Sequence, residues 1–458
     1  MGKNGIYDAP KQLGWGKTLV LGIQHIFAMF GATVLVPLLT GLSVQVTLFC
    51  AGVGTLIFHL ITRGKVPAFL GSSFAFLSGF YAISGAALAL ESNPGLTNGV
   101  YAGLSLQEKL PYALGGVVVA GAVYLVLAGI ITLVGVKKVL RFIPPIVTGP
   151  IIILIGLNLA GTAVSSASTN WALAALAIAT IIVCNIWAKG MIKIVPILMG
   201  ILVPYIVAAC CGLVDFSALS AAGAVGVPHF ILPKFDISAI LIMAPISLAT
   251  MMEHIGDISA ISATVGKDFK ADPGLNRTLL GDGLATMFAG MCGGPANTTY
   301  GENTAVLSLS KVYDPKVIRI AAYGAVVLSF SPWFEKLVGT IPGAIMGGVS
   351  FVLYGMISAV GVRNMVENRI DMTKSRNLII AAVVLVSGLG FESYPITFAI
   401  GGATLTFKGL ASAAILGILL NAILPGKDED SGVPLMELGA EQPEEAKEEA
   451  KEVVAAKN

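Results

Sequence analysis

Most of this chain reads as apolar runs long enough to cross a lipid bilayer, which leaves few folds open. A spanning helix needs about 20 mostly apolar residues to cover roughly 30 Å of hydrocarbon. The first 426 residues offer fourteen such runs, among them 18–40, 66–90, 142–161, 238–261, 277–294, 295–310, 317–335, 341–360, 376–390 and 408–424. Charged residues are 12% of the 458, against about 25% in soluble domains. They are also uneven: Lys427 to Lys457 holds 10 acids and 4 bases, which leaves 16 acids and 24 bases for everything before it. The expectation is an all-α polytopic membrane protein of 14 spans, ending in an acidic tail (425–458) too polar to bury a core.

Orientation follows from the cations. With Met1 inside, twenty Lys and Arg residues fall in inner loops and only Lys109, Lys234, Lys336 and Lys408 in outer ones. That is the asymmetry of a cytoplasmic membrane, and it needs an even number of spans, so both termini are expected in the cytoplasm. The first apolar run is too long for a signal-peptide core, and no small-residue cleavage site follows it. Cys50, Cys184, Cys210, Cys211 and Cys292 lie in apolar segments at no metal-ligand spacing, and read as small buried hydrophobes.

Short patterns recur about half a chain apart. Gln24, His25 and Ile26 return as Glu253, His254 and Ile255, 229 residues later; Ser72, Ser73 and Phe74 return as Thr298, Thr299 and Tyr300, 226 later. Ile143, Pro144 and Pro145 return as Ile341, Pro342 and Gly343, 198 later. These pair span 1 with 8, 3 with 10 and 5 with 12. A seven-span repeat is odd, so the second copy enters from the opposite side. Inverted repeats of this kind mark secondary transporters, with the substrate site near the midplane. The division is then 1–17 as cytoplasmic N-terminus, 18–214 and 238–424 as the two repeats, and 215–237 as an outer linker.

The site is expected where corresponding spans are interrupted by Gly and Pro. Span 3 opens with Val66, Pro67, Ala68, Phe69, Leu70, Gly71, Ser72 and Ser73, and span 10 with Gly293, Gly294, Pro295, Ala296, Asn297, Thr298 and Thr299. Non-helical backbone at that depth survives only where protein or a water-filled cavity satisfies it. Each stretch should form a short extended piece followed by a half-helix, the two pieces pairing and leaving the amides of Phe74, Tyr300 and Gly301 to a ligand. Acids within spans are functional candidates by default. Three stand out: Glu253 and Asp257, one turn apart on one helix face, and Glu302 at the start of the second half-helix, where the dipole favours an anion. Ionised carboxylates accept hydrogen bonds from ring N–H groups, and one of two close carboxylates tends to hold a proton. His25 and His254 would serve equally as ligand contacts or as bridges within the bundle. Asp282 reads as a residue near a membrane end, capping or facing water. Gly16, Lys17 and Thr18 end like a phosphate loop, but Lys11 stands where its first glycine should be.

These residues together resemble the nucleobase–ascorbate transporter family, in particular its bacterial uracil permease branch. The likeness runs through Gln24 to Thr33, Gly71 to Phe76, Glu253 to Asp257, Asn297 to Asn303, and Met346 to Ser350 with Tyr354. It implies proton symport and two seven-span inverted repeats. It also implies a core domain (spans 1–4 and 8–11), a gate domain (spans 5–7 and 12–14) and a homodimer formed through the gate. Glu253 and Glu302 match the substrate-binding acids. Phe74, Tyr300 and Gly301 match positions that contact the base, partly through main-chain amides. His25, with Asp257 and Glu302, is a candidate for proton coupling, while Ser73, His254, Thr299, Asn303 and Tyr354 support the site. Two small exchanges, Ala305 for glycine and Ser310 for threonine, depart from the signature, and Asp257 stands where a uracil permease pattern has histidine. The implied function is import of uracil or a related nucleobase with protons across the inner membrane, with no cofactor, metal or nucleic-acid partner. The alternatives are xanthine, urate or an inorganic anion on the same architecture, a membrane-embedded enzyme, or a channel.

Overall fold

In hydrocarbon a chain must satisfy every backbone N–H and C=O internally, and the long apolar runs accordingly become helices. The computed structural model describes residues 5–85, 99–220, 223–400, 403–407 and 409–426. The acidic tail from 427 onward, Lys3, Lys408 and the end of the third apolar run lie outside these. The main helices are α1 (Trp15–Thr40), α2 (Val44–Ile61), α3 (Leu77–Ser84), α4 (Leu106–Val134), α5 (Pro145–Ser168), α6 (Trp171–Ile186) and α7 (Pro196–Cys210). After these come α8 (Ile246–Val265), α9 (Leu275–Cys292), α10 (Gly301–Ser310), α11 (Pro315–Ser329), α12 (Pro332–Gly339), α13 (Gly343–Glu367), α14 (Ser375–Ser393) and α15 (Gly409–Ile423). Among the described residues, seven helices are long and apolar enough to cross a membrane, and three more are apolar but shorter.

The third and tenth runs do not form continuous helices. Leu70–Ser72 is a strand, β1, leading to α3, and Asn297–Thr299 is a strand, β2, leading to α10. They pair antiparallel, Leu70 with Thr299, Gly71 with Thr298 and Ser72 with Asn297. One helix holds β1 from behind: Thr55 of α2 bonds both the N–H and the C=O of Leu70, and His59 one turn on meets the Ala68 carbonyl at 2.9 Å. α9 holds β2 in the same way, the Thr286 hydroxyl donating to the Asn297 carbonyl at 2.6 Å.

Three local expectations are corrected. The run 317–335 is not one continuous helix: α11 ends at Ser329, and α12 leaves it at 87°. Pro332 cannot continue the α11 hydrogen-bond ladder, while the Ser331 hydroxyl caps the new helix by accepting from the Phe334 N–H. Between α14 and α15 lies an unforeseen hairpin, β3 (Ile396–Ile400) with β4 (Ala403–Phe407). Its sequence alternates with period two and is rich in β-branched and aromatic residues, the strand signature. Of the cysteines, Cys50 and Cys184 are buried as expected, but Cys210 and Cys211 at the end of α7 are exposed and Cys292 is half-buried.

The helices pack in two groups. α9 lies along α4 and α2, and α11 along α2 and α1; α13 lies along α5 and α6, and α14 along α15 and α5. The α5–α13 contact is backbone to backbone, as small residues allow in membrane bundles. A Cβ at Gly156 would collide with the Tyr354 carbonyl, and one at Gly361 would sit 2.6 Å from the Gly149 carbonyl. Gly156→Val is therefore expected to be overpacked by about 1–3 kcal/mol or more, and to lower the melting temperature of the detergent-solubilised protein. Gly161→Val, on the same helix with nothing within 4 Å of its Cβ position, should leave it unchanged; equal melting of the two variants would refute this packing.

Candidate functional site

The strand pair presents its ends to α8. The Ser73 N–H donates to the Ala296 carbonyl and the Tyr300 N–H to the Phe69 carbonyl, each at 2.9 Å, extending the pairing at both ends. The Tyr300 amide is thus taken by the strand pair and not left to a ligand as expected, because the register continues one residue past β2. Its side chain also turns inward. The hydroxyl donates to the Ser72 carbonyl at 3.0 Å and lies 3.3 Å from the Thr33 hydroxyl of α1. Phe74 and Gly301 follow the strands on either side, and among the described residues no backbone bond of the two connections takes their N–H groups. At Gly301 this is the ordinary state of a helix start.

α8 brings the acids to this point. Glu253 and Asp257 are both half-buried and one turn apart. A Cβ at Gly301 would lie 3.6 Å from Asp257 Oδ1, so the Asp257 carboxylate sits against the start of α10, where helix dipole and amides favour negative charge. The glycine leaves that approach open. Glu302 is the second residue of α10; its side chain lies outside the described residues. Asn303 Nδ2, one residue on, is 3.0 Å from His25 Nδ1 and 3.4 Å from the His25 carbonyl, tying α10 to α1. With Nδ1 accepting, the ring hydrogen of His25 sits on Nε2. Tyr354 of α13 completes the surround, its ring 6.0 Å from that of Phe74 in an edge-on contact. The Ser73 hydroxyl is buried and has no partner among the described residues.

Behind Asp257 runs a chain of polar groups. The Thr299 hydroxyl donates to Asp257 Oδ2 at 3.0 Å and lies 3.4 Å from His254 Nδ1. His254 Nδ1 is in turn 3.2 Å from Asp282 Oδ2, an ion-pair distance without hydrogen-bond alignment. His254 and Asp282 are both fully buried. Asp282 is therefore neither a cap nor water-facing, as had been expected. α9 begins at Leu275, two turns earlier, and turns Asp282 into the bundle. Its neighbours Gly281 and Gly283 let α9 approach Phe58 of α2 and Tyr124 of α4 closely. Gly-Asp-Gly was the available signal. Among the described residues no group of three or more His, Cys, Asp or Glu side chains is placed to hold a metal ion.

Residues 16–397 match the model of a permease family. Similar proteins include uracil permeases of Bacillus caldolyticus (40% identical; 93% of this chain and 95% of that protein) and of Bacillus subtilis (38%; 93% and 96%). A uracil permease of Escherichia coli is 35% identical, over 92% of this chain and 93% of its own. Among solved structures, the transmembrane domain of a cyanobacterial bicarbonate transporter, BicA, superposes with a TM-score of 0.54 at 15% identity, covering 92% of this chain and 98% of that one. SLC26A9 superposes with a TM-score of 0.63 at 11% identity, covering 91% of this chain and 66% of its own. At such identities the likeness is one of fold.

Proposed function

The chain belongs to the nucleobase–ascorbate transporter family and is a transporter rather than an enzyme, and from that premise we propose that it imports uracil together with protons by alternating access. One observation carries the reading: the acid-bearing face of α8 meets the start of the α10 half-helix, where a Cβ at Gly301 would lie 3.6 Å from Asp257 Oδ1. Glu253 is one turn from Asp257 on the same face of α8, and the amides of Phe74 and Gly301 follow the two paired strands. A ring with both N–H groups and carbonyls is complementary to that arrangement. Glu253 and Glu302 accept the ring N–H bonds, the two amides meet the carbonyls, and the Phe74 and Tyr354 rings enclose the base. The uracil permeases at 35–40% identity support the choice of cargo.

The proton belongs to the chain of groups from Asp257 through Thr299 to His254 and Asp282. That chain links a half-buried carboxylate to a fully buried one, and Glu302 and His25 are further candidates. Fourteen spans, both termini in the cytoplasm of a bacterial inner membrane, and a dimer through the gate complete the proposal. In it, spans 1–4 and 8–11 form the core that moves against a gate of spans 5–7 and 12–14. Uptake of radiolabelled uracil into vesicles with an alkaline interior is the test. Accumulation should collapse with a protonophore and be competed by unlabelled uracil better than by thymine, xanthine or urate. Protonophore-insensitive uptake would remove the coupling, and preference for xanthine would change the cargo.

A further inference from the structure

The residues before α1 bind the far ends of two helices that carry the site. Ile6 pairs with the connection between α10 and α11 as a parallel bridge. Its N–H donates to the Lys311 carbonyl at 2.9 Å, and its carbonyl accepts from the Tyr313 N–H at 2.7 Å. Tyr7, the next residue, reaches the other helix: its hydroxyl donates to the Val265 carbonyl at 2.8 Å. Val265 is the last residue of α8, where carbonyls have no partner within the helix. Lys267 Nζ lies 4.3 Å from the centre of the Tyr7 ring, and the Tyr313 ring packs beside it at 5.5 Å. Two residues on, the Ala9 N–H donates to Asp314 Oδ2 at 2.8 Å, while Asp314 Oδ1 caps α11 by accepting from the Lys316 N–H. Asp314 is 2% exposed, and hydrogen bonds to a carboxylate are among the stronger ones. Ala9, Val312 and Val317 close over the contact as a small apolar cluster.

The transport scheme above gives this segment no task, yet what it joins is specific. α10 starts at Gly301, against Asp257, and ends at Ser310, next to the carbonyl that Ile6 holds. α8 runs eight residues beyond Asp257 to Val265, where Tyr7 holds it. At 1.5 Å per residue, both stretches are about 12–14 Å long. The two helices therefore meet near the site, where Asp257 approaches Gly301, and are joined again at their far ends by two adjacent residues. A continuous span takes its tilt from one hydrogen-bond ladder through the bilayer. α10 is interrupted at β2, so the contact at its other end sets its tilt.

We infer that residues 6–9 are a strap that sets the spacing of α8 and α10, with Tyr7 as its positioning residue on the α8 side. Tyr7 acts on the substrate only through α8, which carries Glu253 and Asp257. Binding groups must be held within about 0.5 Å of their working geometry, and a stiff helix passes a shift at one end to the other. The inference rests on the reading of the site as one that binds a nucleobase.

Initial-rate uptake of radiolabelled uracil by the wild type, Tyr7→Ala, Tyr7→Phe and Asp8→Ala separates positioning from plain stabilisation. Tyr7→Ala removes the hydroxyl and both ring contacts. Its KM should rise about tenfold, with kcat per transporter in the membrane within about twofold of wild type. Tyr7→Phe keeps the ring and loses one hydrogen bond, so its KM should rise about threefold. Asp8→Ala removes ion pairs to Lys316 and Lys11 at 3.0 and 3.2 Å. Such surface pairs contribute little, and the link to α8 stays, so its KM should match the wild type. A strap that only stabilises the fold would lower the amount of transporter and the maximal rate at an unchanged KM; that result would overturn the inference. So would equal KM rises in Tyr7→Ala and Asp8→Ala. If Tyr7→Ala is not recovered from the membrane, Tyr7→Phe is read against the same outcomes. Absence of uracil uptake by the wild type would overturn the nucleobase reading, and the inference with it; wild-type uptake with an unchanged KM in the Tyr7 variants overturns the strap alone.

Discussion

Uracil uptake is expected to vanish in Glu253→Ala, and to fall by about 10- to 100-fold in Glu253→Gln, with the protein still present in the membrane. A carboxylate that accepts a ring N–H makes a charge-assisted bond, worth about 1.5–3 kcal/mol. The amide of Gln keeps an accepting oxygen but loses the charge, and its NH2 group can point a donor at a donor. Alanine removes both. Glu253 is half-buried on the face of α8 that Asp257 shares, so its loss leaves space rather than a collapsed core, and the fold should survive. Surface expression must be measured alongside uptake. Undiminished uptake in both Glu253→Ala and Glu302→Ala would place the site elsewhere.

Asp282→Asn should separate transport from its driving force. Removing one partner of a buried pair costs about 3–5 kcal/mol in general, because the other is left desolvated. Here the remaining partner is His254, whose Nδ1 also faces Thr299 and through it Asp257. The isosteric amide keeps the packing and removes the charge. Accumulation against a gradient is expected to fall at least about tenfold, the equivalent of 1.4 kcal/mol. Exchange of external for internal uracil, which needs no net proton movement, should stay within about twofold of wild type. Gel filtration of the solubilised variant shows whether the fold is intact. Wild-type accumulation in a well-folded Asp282→Asn would remove the buried pair from proton coupling.

Asp282 also shows where reading along the chain stops. Hydropathy locates a run and its rough ends, and by that measure an acid five residues past 277 sits near water. Depth in the bundle depends on where the helix begins and which way it faces, and α9 begins at Leu275 and faces α8. Tyr300 teaches the same lesson at smaller scale. Its place after an extended stretch was legible from Gly, Pro and Thr, but its amide was already claimed by Phe69, 231 residues earlier. The β3–β4 hairpin was written in plain alternation, yet a window wide enough to detect a spanning helix averages a period of two away. Glu253 and Asp257, by contrast, needed only a helix between them. Four residues of helix bring two side chains to one face whatever surrounds it.

By itself, then, the sequence determined the solvent, the helical character, the two interrupted stretches and the acids that accompany them. Each is a property of residues near one another in the chain: mean apolarity over about twenty positions, helix-breaking composition over eight, a spacing of four. The tertiary structure alone decided that Leu70 faces Thr299, that Tyr300 locks inward, that α11 turns by 87° into α12, and that Asp282 meets His254. These contacts join segments far apart in sequence, and no local pattern chooses among the partners a packed bundle makes available.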